Sequence, residues 1–380
     1  MNTYRRWDLE FVSGSGARLV DGAGRSYIDC VAGIAVASVG HAHPVLTEAI
    51  KSQTGALVHV SNLYHTAPAQ QLAAELAALT GGMHTFLCNS GAEAIETAIK
   101  LARKWGRSRG RHRIVAAEGG FHGRTLGALA ATGQAAKRAA FEPLPPGFSH
   151  VHFGDAVALD DAVGDDVAAV LLEPIQGEAG VVVAPEGYLT AARAACARAG
   201  ALLILDEVQT GVGRTGAWWA HQHEGVAPDI MCLAKGLAGG LPIGACLAAP
   251  AVAAAFEPGD HGCTFGGGPV QSGAALAVLE IIASEGLLER AKTAGEDLMQ
   301  GLAAIFGPAA EVRGRGLLIG VELAEPRARA VAETALERGL LVNDATPRVV
   351  RLTPPLVITD GDIHASLDIL EEVAGETGTA

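Results

Sequence analysis

The chain has 380 residues, 49% of them hydrophobic and 18% charged, a globular composition long enough for a large core and about two domains at roughly 150 residues each. With 28 basic against 41 acidic residues the net charge is −13, which repels nucleic acid and anionic membranes and argues against both as partners. No uninterrupted apolar run approaches the roughly 18–20 residues of a membrane helix, and Arg5-Arg6 is followed by Asp8 and Glu10 where an export signal needs an apolar region.

Taken in chain order, the middle of the sequence alternates apolar strand-like runs with Ala-rich helical ones. A helix is predicted around Leu72–Leu79, a strand over His84–Cys88, a helix over Ala92–Trp105 and strands over Arg113–Ala116 and Ala168–Glu173. A helix over Tyr188–Arg198 and strands over Leu202–Asp206 and Asp229–Leu233 follow. Continuously apolar strands separated by helices predict an α/β fold, with a mostly parallel sheet covered on both faces. From Pro269 the texture changes to long helices, Gln271–Ser284 and Ala328–Arg338, between short strands at Gly316–Leu323 and Val349–Leu352. The expected organisation is an N-terminal segment, 1–40, packing with a small α+β domain, 269–380, around a large domain, 41–268. The six cysteines (Cys30, Cys88, Cys196, Cys232, Cys246 and Cys263) show no C-x-x-C spacing, which speaks against structural zinc and for reduced thiols in the cytoplasm. His41/His43 and His221/His223 lack a third ligand, so no metal is expected.

The strand Leu202–Asp206 ends in Asp206-Glu207 and the next, after Leu233, in Ala234-Lys235-Gly236. In open α/β sheets ligands bind at the carboxyl ends of strands, and a lysine there is costly unless paired or chemically used. An acid and a lysine on adjacent strand ends suit pyridoxal phosphate (PLP): its aldehyde condenses with an amine, and a carboxylate keeps its ring nitrogen protonated. A salt bridge at the sheet edge explains the same two residues equally well. Asn89-Ser90-Gly91-Ala92-Glu93 follows a strand, opens a helix with capping-box spacing, and offers free N–H groups to a phosphate or simply caps the helix. Gly211-Val212-Gly213-Arg214-Thr215-Gly216 matches a dinucleotide fingerprint, but Glu207–Thr210 separates it from its strand and Ala217-Trp218-Trp219-Ala220 is a poor helix start, so NAD binding is not expected. No G-x-S-x-G elbow is present, against a hydrolase. Phe121 suits stacking on a flat ring, while Arg124 and Arg351 suit carboxylates.

Seven stretches in order resemble class III (subgroup II) aminotransferases of PLP fold type I, most closely the acetylornithine aminotransferases, over about Gly14 to Asp362. They are Asn89-Ser90-Gly91-Ala92-Glu93-Ala94, Phe121-His122-Gly123-Arg124-Thr125, Glu173-Pro174-Ile175-Gln176-Gly177-Glu178, Asp206-Glu207-Val208-Gln209-Thr210-Gly211, Ala234-Lys235-Gly236, His261-Gly262-Cys263-Thr264-Phe265-Gly266-Gly267 and Arg351-Leu352-Thr353-Pro354-Pro355. The resemblance implies a large domain with a seven-stranded-type sheet plus a smaller domain. It implies Lys235 as the lysine that condenses with PLP and shuttles a proton, Asp206 as partner of the ring nitrogen, and Gln209 near the ring hydroxyl. Phe121 is implied to stack on the ring, with His122 beside it, and Ser90, Gly91 and Ala92 to hold the phosphate. Thr264 is implied to reach the neighbouring subunit's phosphate, hence a homodimer. Arg124 and Arg351 are implied to bind substrate carboxylates, with Glu178 pairing Arg351 when the substrate presents none.

The implied reaction moves the δ-amine of N2-acetyl-L-ornithine to 2-oxoglutarate, a step of arginine biosynthesis. Ornithine aminotransferases carry a tyrosine where this chain has Ile34, and tend to carry tryptophan at His122. An apolar Ile34 favours a donor with a masked α-amine, which also leaves succinylornithine, succinyl-diaminopimelate and carrier-linked lysine open. Gly268 stands where the family usually has asparagine.

Overall fold

The computed structural model describes residues 1–379. Its central sheet has seven strands in the order His84–Cys88, Gly244–Ala248, Ile230–Leu233, Leu202–Asp206, Val167–Leu172, Arg113–Ala117 and Phe148–Val151. The last five pair in parallel, while Gly244–Ala248 is antiparallel to both its neighbours. Side chains alternate across a strand, and Leu202–Asp206 shows the consequence. Leu202 and Ile204 pack with Ile95, Ile99 and Ala102 of the helix Gly91–Arg107. Leu203 and Leu205 pack with Leu189 and Ala192 of the helix Tyr188–Ala199. Both faces being dry, the strand reads as an unbroken apolar run, and each buried leucine or isoleucine contributes about 1.5–3 kcal/mol. Asp206 is next on the Ile204 face, so alternation aims it towards the Gly91 helix.

The predicted strands lie where expected, to within two residues at their ends. Two strands of the central sheet were not predicted. Gly244-Ala245-Cys246-Leu247-Ala248 lacks the β-branched and aromatic residues that mark strands, and it is held because it fills the gap between His84–Cys88 and Ile230–Leu233. Phe148–Val151 forms the sheet edge and has no fully buried residue.

A second sheet, Glu311–Arg315, Leu318–Glu322, Val349–Leu352 and Asn343–Asp344, is antiparallel throughout. Helices Leu287–Phe306, Ala328–Glu337 and Asp360–Thr377 pack beside it. The N-terminal strands Phe11–Ser15, Arg18–Asp21 and Ser26–Asp29 form a meander whose last strand pairs with Leu340–Leu341. Thr353 N–H donates to the Cys30 carbonyl at 2.7 Å, and Arg18 Nη2 meets Asp362 Oδ1 at 2.7 Å. One apolar core runs from Leu72 and Leu76 through Leu237 and Ile282 to Leu302 and Leu352.

The Gly211–Gly216 loop has a different purpose from the fingerprint it matches. No helix follows it; a short 3-10 turn, Ala220–Glu224, does. Arg214 is buried and donates to the carbonyls of Leu317 and Pro354, while its own carbonyl accepts from Leu317 N–H at 3.0 Å. The loop therefore stitches the central sheet to the C-terminal sheet. Glu207, also buried, accepts from Ala220 N–H, His221 N–H and the Thr210 hydroxyl, so the carboxylate beside Asp206 and the histidine at 221 are spent on shaping this loop.

Gly244 passes so close to the preceding chain that a Cβ there would lie 2.3 Å from the Ser90 carbonyl oxygen. Gly244→Ala should destabilise the protein by about 1–3 kcal/mol through overpacking, read as a lower urea midpoint.

Candidate functional site

A cavity of about 380 Å³ opens at the carboxyl ends of the central strands, lined by Ser90, Gly91, Ala92, Phe121, His122, Glu173, Glu178, Asp206, Val208, Gln209 and Lys235, among others. On one side stands the N-terminus of the helix Gly91–Arg107. Ser90 is its N-cap, and its hydroxyl accepts from Glu93 N–H at 3.2 Å. The Glu93 carboxylate reaches back to Asn89 N–H, one residue before the cap. The N–H groups of Gly91 and Ala92 have no partner among the described residues. They form an anion cradle with the positive end of the helix dipole behind it. A Cβ at Gly91 would meet Val208 Cγ1 at 2.9 Å, so glycine keeps the cradle open.

Opposite the cradle, Asp206 is buried and fully engaged. Its Oδ1 accepts from Val208 N–H at 3.0 Å, and its Oδ2 lies 2.8 Å from His122 Nδ1. His122 is anchored in turn by its N–H on the Thr132 hydroxyl at 3.0 Å. Burial alone would lower the imidazole's pKa, but the hydrogen bond and charge of Asp206, with Glu173 nearby, outweigh burial and raise it above its ordinary value. Glu173 ends the next strand's run. It accepts from Phe121 N–H at 2.9 Å, and burial pushes its carboxyl up to about 7, with His122 opposing and Asp206 adding to the shift.

Lys235 follows the strand Ile230–Leu233 at a φ of 41°. Left-handed backbone in a non-glycine residue is uncommon and costs of order 1–3 kcal/mol, and here it aims the amine into the cavity. The amine has no hydrogen-bond partner among the described residues. Burial pulls its pKa below the usual lysine range, against the pull of Glu178. A depressed lysine has the neutral form that nucleophilic attack and proton transfer require.

Arg351, at 1% exposure, enters from the C-terminal strand Val349–Leu352. Its Nη1 lies 2.7 Å from Glu178 Oε1, 3.1 Å from the Gly177 carbonyl and 3.2 Å from Gln209 Oε1; its Nη2 donates to Asn343 Oδ1 at 2.7 Å. Burial works to raise the Glu178 carboxyl, but Arg351, Lys235 and Lys137 together hold it at about 2.

Three expected residues lie apart from this cluster. Arg124 is exposed, its guanidinium carbon 5.5 Å from the Phe121 ring centroid. Thr264 is exposed and borders a separate cavity of about 400 Å³ with His59, Asn62 and Tyr64. Ile34 sits in a left-handed turn, Ala32, Gly33, Ile34 and Ala35 having φ of 49°, 65°, 64° and 62°. The turn is held by Asp29, whose Oδ1 accepts from Val31 and Ala32 N–H at 2.9 and 2.8 Å. Val36, two residues on, lines the cavity, and Ile34 does not. The sequence reading assigned no role to Glu173, Asn343 or Val36. Glu173 carried the signal that marked Asp206, a carboxylate closing an apolar strand; Asn343 and Val36 carried none.

The profile of the family described as Aminotransferase class-III matches residues 3–374. The chain belongs to the class-III aminotransferases. It is 53% identical over 383 residues to the acetylornithine aminotransferase of Mycobacterium tuberculosis, covering 99% of this chain and 95% of that protein. The structure of the N-acetylornithine aminotransferase from Stenotrophomonas maltophilia superposes with a TM-score of 0.86 at 39% identity, covering 99% and 98% of the two chains. That of the ornithine aminotransferase from Toxoplasma gondii superposes with a TM-score of 0.95 at 33% identity, covering 99% and 92%. Backbone similarity thus spans two donors and does not separate them; sequence identity leans to the first.

Glu173 generates a pH prediction for the cofactor-free protein. Its folded carboxyl titrates near 7 against an ordinary 4.5, so between those values the folded state holds a proton that the unfolded state has released. Glu173's contribution to stability is therefore most favourable below 4.5 and falls as pH rises to about 7. Glu173→Gln should flatten that slope in urea denaturation of the apo-protein followed from pH 5 to 8.

Proposed function

We propose that this chain transfers the δ-amino group of N2-acetyl-L-ornithine to 2-oxoglutarate, giving N-acetyl-L-glutamate 5-semialdehyde and L-glutamate, with PLP held at Lys235, as a cytoplasmic step of arginine biosynthesis. One observation carries the reading. A depressed lysine, a histidine-backed aspartate, an open helix N-terminus and a latched arginine–glutamate pair line or border a single cavity.

The residues present fit PLP: the cradle at Gly91 and Ala92 matches a phosphate, and Phe121, Val208 and Asp206 line the same cavity, two apolar side chains for a flat ring and a carboxylate for its nitrogen. When bound, PLP supplies an electron sink for the bond-breaking at the donor carbon. Asp206 would hold positive charge on the ring nitrogen, and His122 fixes the carboxylate's rotamer. Gln209 would lie near the ring hydroxyl. Lys235 would hold the cofactor's aldehyde carbon and, as a free amine, would carry a proton from and to the reacting atoms. Arg124 binds the carboxylate distant from the reacting carbon. Arg351 stays paired with Glu178 while the amine reacts, and binds the 2-oxo carboxylate once Glu178 swings aside.

The donor assignment is supported by the relatives near 50% identity, which are acetylornithine aminotransferases, and by the apolar Val36 in the cavity wall, which offers a free α-ammonium no acceptor. The division into 1–40 with 269–380 around 41–268 is supported by the pairing of Ser26–Asp29 with Leu340–Leu341. A homodimer, with Thr264 serving the neighbouring site, is supported by exposed Leu63, Tyr64 and Phe265 beside Thr264, at 83%, 70% and 64% exposure. The cytoplasm is supported by six free cysteines.

The visible absorption of the holoenzyme, followed without oxo acid, should bleach much faster with N2-acetylornithine than with ornithine. Preference for ornithine would overturn the donor, and no visible band after PLP is supplied would overturn the cofactor. Glu178→Gln should slow the amine half-reaction by about tenfold, ~1.4 kcal/mol, by leaving Arg351 facing an alkylamine; an unchanged single-turnover rate would remove the switch.

A further inference from the structure

A second cation stands on the Phe121 ring, and nothing in the sequence motifs pointed to it. Lys137 belongs to the four-residue helix Ala135–Arg138. The segment before that helix is stitched to the loop that carries Phe121. Gln134 Nε2 donates to the Gly119 carbonyl at 2.8 Å, and Gly133 N–H to the Gly120 carbonyl at 2.9 Å. Lys137 Nζ lies 4.8 Å from the Phe121 ring centroid and the Arg124 guanidinium carbon 5.5 Å from the same centroid. Neighbouring Arg138 is engaged elsewhere, its Nη1 3.2 Å from His150 Nδ1.

Neither Lys137 nor Arg124 has a side-chain hydrogen bond or salt bridge among the described residues, whereas Arg351 takes up Glu178 at 2.7 Å. Two uncommitted cations on one half-buried ring repel each other, and a carboxylate between them relieves that repulsion. Burial and the charge of Arg124 both lower the Lys137 ammonium's pKa, against the pull of Glu178.

Resting on the donor reading above, we infer that Lys137 is the second prong of the distal carboxylate site. With Arg124 it holds the α-carboxylate of N2-acetylornithine in one half-reaction and the carboxylate of 2-oxoglutarate farther from the reacting carbon in the other. The chemistry of the two substrates suits such a pair. The donor's carboxyl carbon is one bond farther from its reacting carbon than the oxo acid's, so one rigid fork meets only one of them well. A guanidinium gives a fixed planar fork, while an ammonium on a flexible four-carbon stem follows the displaced carboxylate.

The test is steady-state kinetics of holoenzyme Lys137→Met and Lys137→Arg. Lys137→Met should raise KM for N2-acetylornithine and for 2-oxoglutarate by about tenfold each with kcat nearly unchanged, and Lys137→Arg should recover most of the loss. N-acetyl-1,4-diaminobutane, the same donor without its carboxylate, should show the same kcat/KM in wild type and Lys137→Met, a constant that in a ping-pong reaction does not depend on the acceptor. Unchanged KM values, or equal losses with both donors, overturn the inference. A shift of the cofactor absorption or a weaker hold on PLP in Lys137→Met, with both donors affected alike, assigns Lys137 to supporting Phe121 and overturns it as well. If wild type fails to use N2-acetylornithine, the donor reading falls by itself, and the KM for 2-oxoglutarate with whichever amine the enzyme accepts still decides the role of Lys137.

Discussion

A guanidinium with 1% exposure must find acceptors or cost the fold several kcal/mol, and Arg351 finds four. Two of them, the Glu178 carboxylate and the Gly177 carbonyl, come from the loop after Val167–Leu172; a third, Gln209, follows Leu202–Asp206; the fourth, Asn343, is its cross-strand neighbour. The C-terminal sheet is thereby pinned to the cavity through one side chain. In the proposed reaction the same bonds would be those in place when the substrate has no carboxylate near the reacting carbon. Replacing Glu178 by an incoming carboxylate would exchange one charge-assisted hydrogen bond for another of similar strength, as the proposed switch requires.

Around that pair the cavity gathers more ionisable groups than an apolar interior tolerates uncompensated. The structure distributes them by partner. Asp206 stays hydrogen-bonded to His122 and to backbone, Glu178 is held low by three cations, and Glu173 is driven towards neutrality by burial. Lys235 is left without a partner and loses basicity. Environments that push titratable groups apart in this way suit them to different work: a hydrogen-bonded carboxylate, a buried ion pair and an amine ready to be neutral.

Backbone strain falls at the edges of this cavity. Lys235 and the four-residue turn Ala32–Ala35 are all left-handed, and each is over-determined by neighbours: Lys235 by the strand before it, the turn by Asp29 and by the Thr353 hydroxyl on the Val31 carbonyl at 2.8 Å.

Much of the architecture was legible because the central strands are apolar from end to end and their helices are long and Ala-rich, a pattern that permits little besides a covered parallel sheet. The carboxylate and lysine at adjacent strand ends, and the capped helix after Cys88, are local features, so residue order alone presented them. What the order left open depended on contacts between distant segments. Gly244–Ala248 is a strand only because two neighbours need it. Arg214 serves the C-terminal sheet and not a dinucleotide because Leu317 and Pro354 lie within its reach. Val36 reaches the cavity and Ile34 does not because four consecutive residues turn left-handed. Lys137 meets the Phe121 ring because Gln134 and Gly133, just before its helix, donate to the Gly119 and Gly120 carbonyls. The sequence by itself determined which groups were available and the strand ends that present them. Tertiary structure decided which charges are paired, which are left free and where the strained backbone aims them, since those depend on distance and burial, and neither is written in residue order.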